Sequence, residues 1–487
     1  MSLNKGYMYY LYEKYKTMNI AVKASLWFAI CSILQKGISI ITLPIFTRLM
    51  PTGEYGQYSI FQTWYNILIL VVTLNVQSEI FNKGLIVHSE EKDKYTANQA
   101  GLLLVLTGIF LTIYLLFRNW INHILGLNTF LVLIMLAEIL ANAMVSLWSA
   151  RKRFDYQYKK IVSLTLVTSI LNPIVGVIAV LFSEDKAQAR IVSNALVPIV
   201  VSLIILVGFR TKGKLFSNKQ WWKIAVLTSL PLVPHYLSLI LLNQSDKLMI
   251  NHFCGNEAAA IYSVAHSAGL LMTIINTSIN GSFVPWIYTK LKEKKVGGIS
   301  DVTFALSALV MVCNIVLIWF APEAIAMLAA PQYSTAVYCL VPIATSVFFF
   351  FIYTLIVDVE IYYGKNHYVA IASVCAAALN LFLNYIFIPR FGFLAAGYTT
   401  LVSYVFTMLL HCAFLSIGLR KMTDKIRLFN YKKILFLSIA LVILVIVALV
   451  LYPHFKVRLI VAFIGILVLL KNRDMVFKKL KMIKKRD

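Results

Sequence analysis

Apolar runs of about twenty residues alternate with short polar breaks along almost the whole chain, and a run of that length is what an α-helix needs to cross a bilayer. Counting the runs predicts fourteen spans, near residues 25–47, 58–81, 97–117, 128–149, 161–183, 189–209, 224–250, 258–286, 302–321, 336–361, 368–388, 394–417, 434–452 and 458–470. The last is short. The fold class that follows is an all-α polytopic membrane protein with about 14 transmembrane helices.

Composition agrees with that reading. Of the 487 residues, 60% are hydrophobic and 13% charged, and the mean hydropathy is +0.79. A soluble domain carries about a quarter charged residues. The polar stretches are too short to build a core, so no soluble domain is expected. The first 24 residues are polar and tyrosine-rich and offer no cleavable leader, so the first span itself is expected to direct insertion. The six cysteines (Cys31, Cys254, Cys313, Cys339, Cys375, Cys412) lack metal-ligand spacing and read as small buried hydrophobes. No metal and no cofactor is implied, and no Walker A sequence is present.

Charge sets the orientation. With the N-terminus inside and the breaks assigned alternately, 36 of the 45 Lys and Arg fall on the cytoplasmic side and eight outside, Arg190 and Arg458 among the eight. The cytoplasmic set includes "RKRFDYQYKK" (Arg151 to Lys160) and the basic tail from Lys471. Both termini are therefore expected in the cytoplasm. The net charge of +25 is explained by loops recurring between apolar spans, which meet anionic membrane lipids, and no nucleic-acid partner is expected.

The chain also repeats itself weakly. "TRLMPTGEYGQYSIFQ" (Thr47 to Gln62) and "NHFCGNEAAAIYSVAH" (Asn251 to His266) align at an offset of 204, placing Tyr58-Ser59 on Tyr262-Ser263. Each follows an odd-numbered span and leads into an even-numbered one. Spans 1–6 and 7–12 therefore read as two parallel copies, an N-terminal lobe (1–209) and a C-terminal lobe (210–420), with an extra helix pair and tail (421–487).

Three stretches carry a resemblance: "LPIFTRLMPTGEYGQYSIF" (Leu43 to Phe61), "NQSDKLMINHFCGNEAAAIYSVAHSAG" (Asn243 to Gly269) and "NYIFIPRFGFLAAGYTTLVSY" (Asn384 to Tyr404). They resemble the polysaccharide flippases of the MOP superfamily, in particular Wzx-type exporters of O-antigen, capsule or exopolysaccharide repeat units, and the resemblance runs over essentially the whole chain. It implies two six-helix lobes forming a V around a central cavity in a bacterial cytoplasmic membrane. It implies a substrate, a polyprenyl-pyrophosphate-linked oligosaccharide flipped from the inner to the outer leaflet, and a partner, the polymerase of the same pathway.

Polar residues inside the spans are the candidate site, because lipid gives them no partner. Ser25, Ser32, Lys36 and Ser39 form one stripe of the first span, and Glu138, Asn142 and Ser146 another on the fourth. Asn276 and Asn280 lie on the eighth span, Asn380 and Asn384 on the eleventh. Each asparagine pair reads either as a wet surface or as interhelical hydrogen bonds. Lys36 reads either as a cavity cation that meets the pyrophosphate or as the buried partner of Glu138. Pro231 and Pro234 in the seventh span remove backbone hydrogen bonds and mark a bend for gating. Asp246 and His266 are candidates for gating or coupling, Asp246 with Lys247 matching a family position. Glu79, Asp358 and Glu360 lie near span ends and read as structural. Competing functions are a MATE-type drug or cation antiporter, a peptidoglycan-precursor flippase, and a membrane polymerase or glycosyltransferase. The last class is disfavoured by the short external breaks.

Overall fold

A computed structural model of the protein describes residues 13, 15–212, 216, 218–420 and 428–471. The basic tail after Lys471 and residues 421–427 of the 420–433 loop, both counted in the charge asymmetry, lie outside the described residues. Among those described there is no β-strand. Eleven helical segments are long and apolar enough to cross a membrane. One of them, Lys219–Lys292, contains the seventh and eighth predicted spans. The second and fourteenth predicted spans correspond to Thr52–Thr73 and Phe455–Lys471, which fall outside that set. All fourteen predicted spans thus meet a helix.

The chain divides into two compact units, Met1–Leu237 and Ser238–Asp487. The first contains α1 (Ile20–Leu49), α2 (Thr52–Thr73), the short α3 (Glu79–Val87), α4 (Lys92–Leu116), the short α5 (Arg118–Leu125), α6 (Thr129–Phe154), α7 (Tyr158–Leu181), α8 (Lys186–Lys212) and α9 (Lys219–Ser229). Local chemistry sets several boundaries. Asn19 and Asn128 cap α1 and α6, their side-chain oxygens accepting from Ala21 N and Leu131 N. The second span stops at Thr73, earlier than the apolar run suggests, because Leu74 and Asn75 take left-handed backbone (φ 50° and 55°) and α3 starts afresh, so Glu79 begins a separate helix. In this unit α8 packs against α6 and α7, α1 lies against α7, and α4 against α6. Phe61, Met135, Ile139 and Ile191 fill one core and Phe81, Leu103, Met144 and Leu147 another. α9 belongs to the same packing: the Trp222 indole donates to Asn98 O (2.8 Å), and Trp221 meets His88 and Tyr95.

A 3₁₀ turn, Leu230–Leu232, separates α9 from α10 (Val233–Lys292). Pro231 lies in the turn, and Pro234 in the first turn of the helix that follows. Gly255, with φ 86°, breaks α10 into two limbs, a conformation that side-chain-bearing residues rarely adopt. The second unit continues with α11 (Ile299–Trp319), the short α12 (Ala321–Leu328), α13 (Ala336–Tyr362), α14 (Asn366–Phe391), α15 (Leu394–Arg420), α16 (Tyr431–Leu451) and α17 (Phe455–Lys471). α13 is apolar on all sides and is the central helix, packed against α11, α14 and α15. Close approach depends on small residues, since lipid supplies no hydrophobic drive between helices. A Cβ on Gly397 would fall 2.7 Å from Pro342 Cγ, and one on Gly269 2.7 Å from Ile343 Cγ2.

The C-terminal pair is fastened to this unit at both ends. Lys433 bridges to Asp301 at 2.8 Å. At the other end Arg458, buried to 3% exposure, reaches both Glu323 oxygens (3.0 and 2.7 Å) and the Trp319 carbonyl (2.8 Å). The Trp319 indole donates back to Arg458 O, and the Tyr452 hydroxyl donates to Ile318 O. Partial burial pushes the Glu323 carboxyl up, but the hydrogen-bonded guanidinium outweighs it and holds the group below the usual glutamate value.

Candidate functional site

In the first unit the polar residues gather around Arg190. This arginine sits in the second turn of α8, 6% exposed. Its guanidinium carbon lies 4.1 Å from the centre of the Phe46 ring and 5.1 Å from that of Tyr58, so α1 and α2 supply aromatic faces to a desolvated cation. Nη1 donates to Asn172 Oδ1 (3.2 Å), Asn172 Nδ2 donates to Asn194 O (3.0 Å), and Asn194 Nδ2 donates to Glu138 Oε1 (2.8 Å). A relay of polar groups thus runs through α8, α7 and α6 between a cation and a carboxylate. Space for it comes from Gly176: a Cβ there would lie 2.5 Å from Arg190 Nη1 and 2.9 Å from Phe46 Cζ. The second oxygen of Glu138 has no hydrogen-bond partner, and Tyr65 faces Glu138 and Asn142.

Two sequence expectations change here. Arg190 was counted among the external charges, which left Lys36 as the single intramembrane cation; the structure buries Arg190 inside the unit. The partner of Glu138 is Asn194, and Glu138 makes no ion pair with Lys36. The reason is packing: α1 lies along α7, whereas Glu138 points from α6 toward α8. Lys36 is half-buried, Ser25, Ser32 and Ser39 are exposed, and Asn142 is half-buried. The Ser25 and Ser39 hydroxyls donate to the carbonyls of Ala21 and Gln35 on their own helix. The polar stripe of α1 is therefore present, with the Ser25 and Ser39 hydroxyls satisfied locally and its surface open.

In the second unit the centre is Asp246, 2% exposed. Its Oδ2 accepts from the Tyr262 and Thr400 hydroxyls (2.6 Å each) and its Oδ1 from Asn384 Nδ2 (2.6 Å). Asn384 also donates to Asn380 Oδ1 (3.1 Å), which accepts from Ser245, while Thr399 donates to Asn384. The asparagine stripe of α14 is thus interhelical, its partners lying on both α10 and α15. His266 stacks near Tyr262, ring centres 6.4 Å apart. Asn276 donates to Val347 O (3.1 Å), tying the second limb of α10 to α13, and Asn280 lies against Asp358. Neither joins the Asp246 network. A further pair was not singled out in the sequence. His411 Nδ1 and Glu360 Oε2 are 2.7 Å apart, both side chains 1% exposed, with Tyr353 stacked on the imidazole. A lone histidine inside the apolar run "MLLHCAFL" was its visible signal.

Comparison with known proteins places this geometry. The family model described as polysaccharide biosynthesis protein matches residues 21–291. An Lsg locus protein of Haemophilus influenzae is 22% identical over 367 residues, covering 73% of this chain and 88% of its own length. An uncharacterized membrane protein of the same organism is 18% identical over 394 residues, covering 77% and 94%. Among solved structures, the lipid II flippase MurJ in its inward closed conformation superposes with a TM-score of 0.66 at 13% identity, covering 93% of this chain and 100% of that one. An inward-facing multidrug resistance MATE family transporter of the MOP superfamily gives 0.60 at 12% identity, covering 82% and 100%. The shared fold is that of this superfamily.

Proposed function

The chain belongs to the polysaccharide biosynthesis protein family, a MOP-superfamily flippase family, and from that premise we propose that its cargo is a polyprenyl-pyrophosphate-linked oligosaccharide, carried from the cytoplasmic to the outer leaflet of a bacterial cytoplasmic membrane. The observation that carries the reading is the family match over more than half of the chain. The 36-to-8 charge asymmetry supports the orientation, with both termini inside.

The proposed path uses the open stripe of α1. A pyrophosphate carries about two negative charges, and moving each outward across an inside-negative membrane is favoured by about 2.3 kcal/mol per 100 mV. Lys36 meets that charge as a compact cation that binds phosphate and releases it. Ser32 and Ser39 keep the surface hydrated. Asn142 and Asn280, both half-buried, add polar contacts, while Glu138 and Asn276 are buried and held by Asn194 and the Val347 carbonyl. Pro231 and Pro234, at the 3₁₀ turn, give the bend that gating requires. Asp246 and His266 act in coupling. The polymerase of the same pathway is the partner that receives the product.

Deleting the gene is expected to abolish a surface polysaccharide and leave its lipid-linked repeat unit on the inner leaflet. Retention of the glycan, with new sensitivity to cationic dyes, would transfer the protein to the antiporter class. Because Lys36 is not paired with Glu138, Lys36→Met strands no carboxylate. It should insert normally and lose export, while Lys36→Arg keeps part of it. Full export by Lys36→Met would remove Lys36 from the path.

A further inference from the structure

Away from these clusters, the first unit has a cleft of about 630 Å³ between the C-terminal end of α6, the N-terminal end of α7 and the C-terminal half of α8. Its mouth is charged. Arg151 and Lys152 come from α6, Lys159 and Lys160 from α7, and Asp93 from α4. Arg151 is already committed, its guanidinium bonded to Asp93 (2.9 Å) and to Asp155. Lys159 and Lys160 are exposed and make no ion pair with a described residue. Ser163, also exposed, follows one helical turn later and so presents its hydroxyl on the same side.

Below the mouth the walls change character. Leu164 and Val167 on α7 face Val201, Ile204 and Ile205 on α8. Val167 and Ile204 are 56% and 70% exposed, so the described residues leave them largely open. Gly208 keeps the upper slot open, with nothing within 4 Å of the Cβ it lacks. Two cations and a hydroxyl at one level, with an apolar slot running along the helices beneath them, match one kind of molecule: a charged phosphate ester carrying a hydrocarbon chain.

We propose that this cleft is a binding site for an anionic glycerophospholipid, its phosphate held by Lys159, Lys160 and Ser163 and an acyl chain lying in the slot between α7 and α8. Free phosphate has no use for the slot, and a zwitterionic head gains little from two lysines. The lysine pair exceeds the single charge of a phosphodiester, and the exposed slot at Val167 and Ile204 is open to the lipids of the bilayer itself. The charge asymmetry places the site at the cytoplasmic leaflet, where basic pockets between helices recruit such heads. The occupant is a resident lipid, separate from the cargo.

The full chain, purified in mild detergent and exchanged into mixed phosphatidylglycerol and phosphatidylcholine, is examined by native mass spectrometry for retained lipid. Phosphatidylglycerol should be retained preferentially. Lys159→Gln with Lys160→Gln should lower that preference by about twenty-five-fold, since each lysine near a membrane surface contributes roughly one factor of five. Gly208→Leu extends a side chain from a Cβ that meets open space and should also release the lipid, even though every charge remains. Equal retention of the two lipids would overturn the assignment. So would loss of preference in the lysine variant but not in Gly208→Leu, which would reduce the effect to surface attraction. Undecaprenyl pyrophosphate is the third probe: its retention at these lysines in place of phosphatidylglycerol would make the cleft a cargo entrance and overturn the proposal.

Discussion

Arg190 in the first unit and Asp246 in the second each lie beside the matching tyrosine of the internal repeat, yet they come from different helices of the repeat, carry opposite charge and are held in opposite ways. Tyr58 and Tyr262, one beside each, are 204 residues apart; Asn172 and Asn380 are 208 apart. Arg190 is enclosed by two aromatic faces and one amide, and its Nε has no partner. Asp246 accepts three hydrogen bonds at 2.6 Å. Ring faces tolerate a shift of the cation by a fraction of an ångström, because cation–π attraction is weakly directional. Three short bonds to a carboxylate do not. The surroundings of the repeat tyrosine are therefore an adaptable cation holder in one unit and a rigid polar lock in the other.

The largest expected effect is at the lock. Asp246→Val leaves three buried donors unmade, each costing about 1–3 kcal/mol, so thermal unfolding of the purified protein in detergent should show at least about 3 kcal/mol of lost stability. Arg190→Met should cost about 2 kcal/mol, the scale of a desolvated cation–π contact; a loss equal to that of Asp246→Val would erase the contrast. Arg190→Lys should recover less than half of it, because an ammonium cannot stack as the planar fork does. The finest test uses the repeat tyrosines. Tyr262→Phe removes a hydrogen bond to a charged group and should cost about 1.5 kcal/mol. Tyr58→Phe keeps the ring face and should stay within about 0.5 kcal/mol. Equal effects in the two would show that Tyr58 acts through its hydroxyl.

Helix number and the polar stripes were legible in the sequence because both depend on periodicity within one segment. Asn380 and Asn384 stood out at a spacing of four, and Asp246 stood out as a charge in an apolar run. That they form one network was not legible, since Asp246 and Asn384 are 138 residues apart in the chain. Arg190 was misread for the same reason. Four residues from the start of α8 it looks like an end charge free to reach water, and only Phe46 and Tyr58, on other helices, turn it inward. The short helices α3, α5 and α12 escaped because their apolar residues are too few to register as a span. The stop at Thr73 depended on left-handed backbone at Leu74 and Asn75, neither of them glycine.

The clasp at Arg458 has a consequence for biosynthesis. A chain made from its N-terminus exposes Glu323, the Trp319 carbonyl and the Trp319 indole well before residue 458 emerges. Until α17 inserts, these groups wait on the surface of an otherwise assembled unit. Closure is a late event of maturation, and it converts a set of open polar groups into a hydrogen-bonded cluster. A copy truncated before α17 leaves Glu323, the Trp319 carbonyl and the Trp319 indole without these partners.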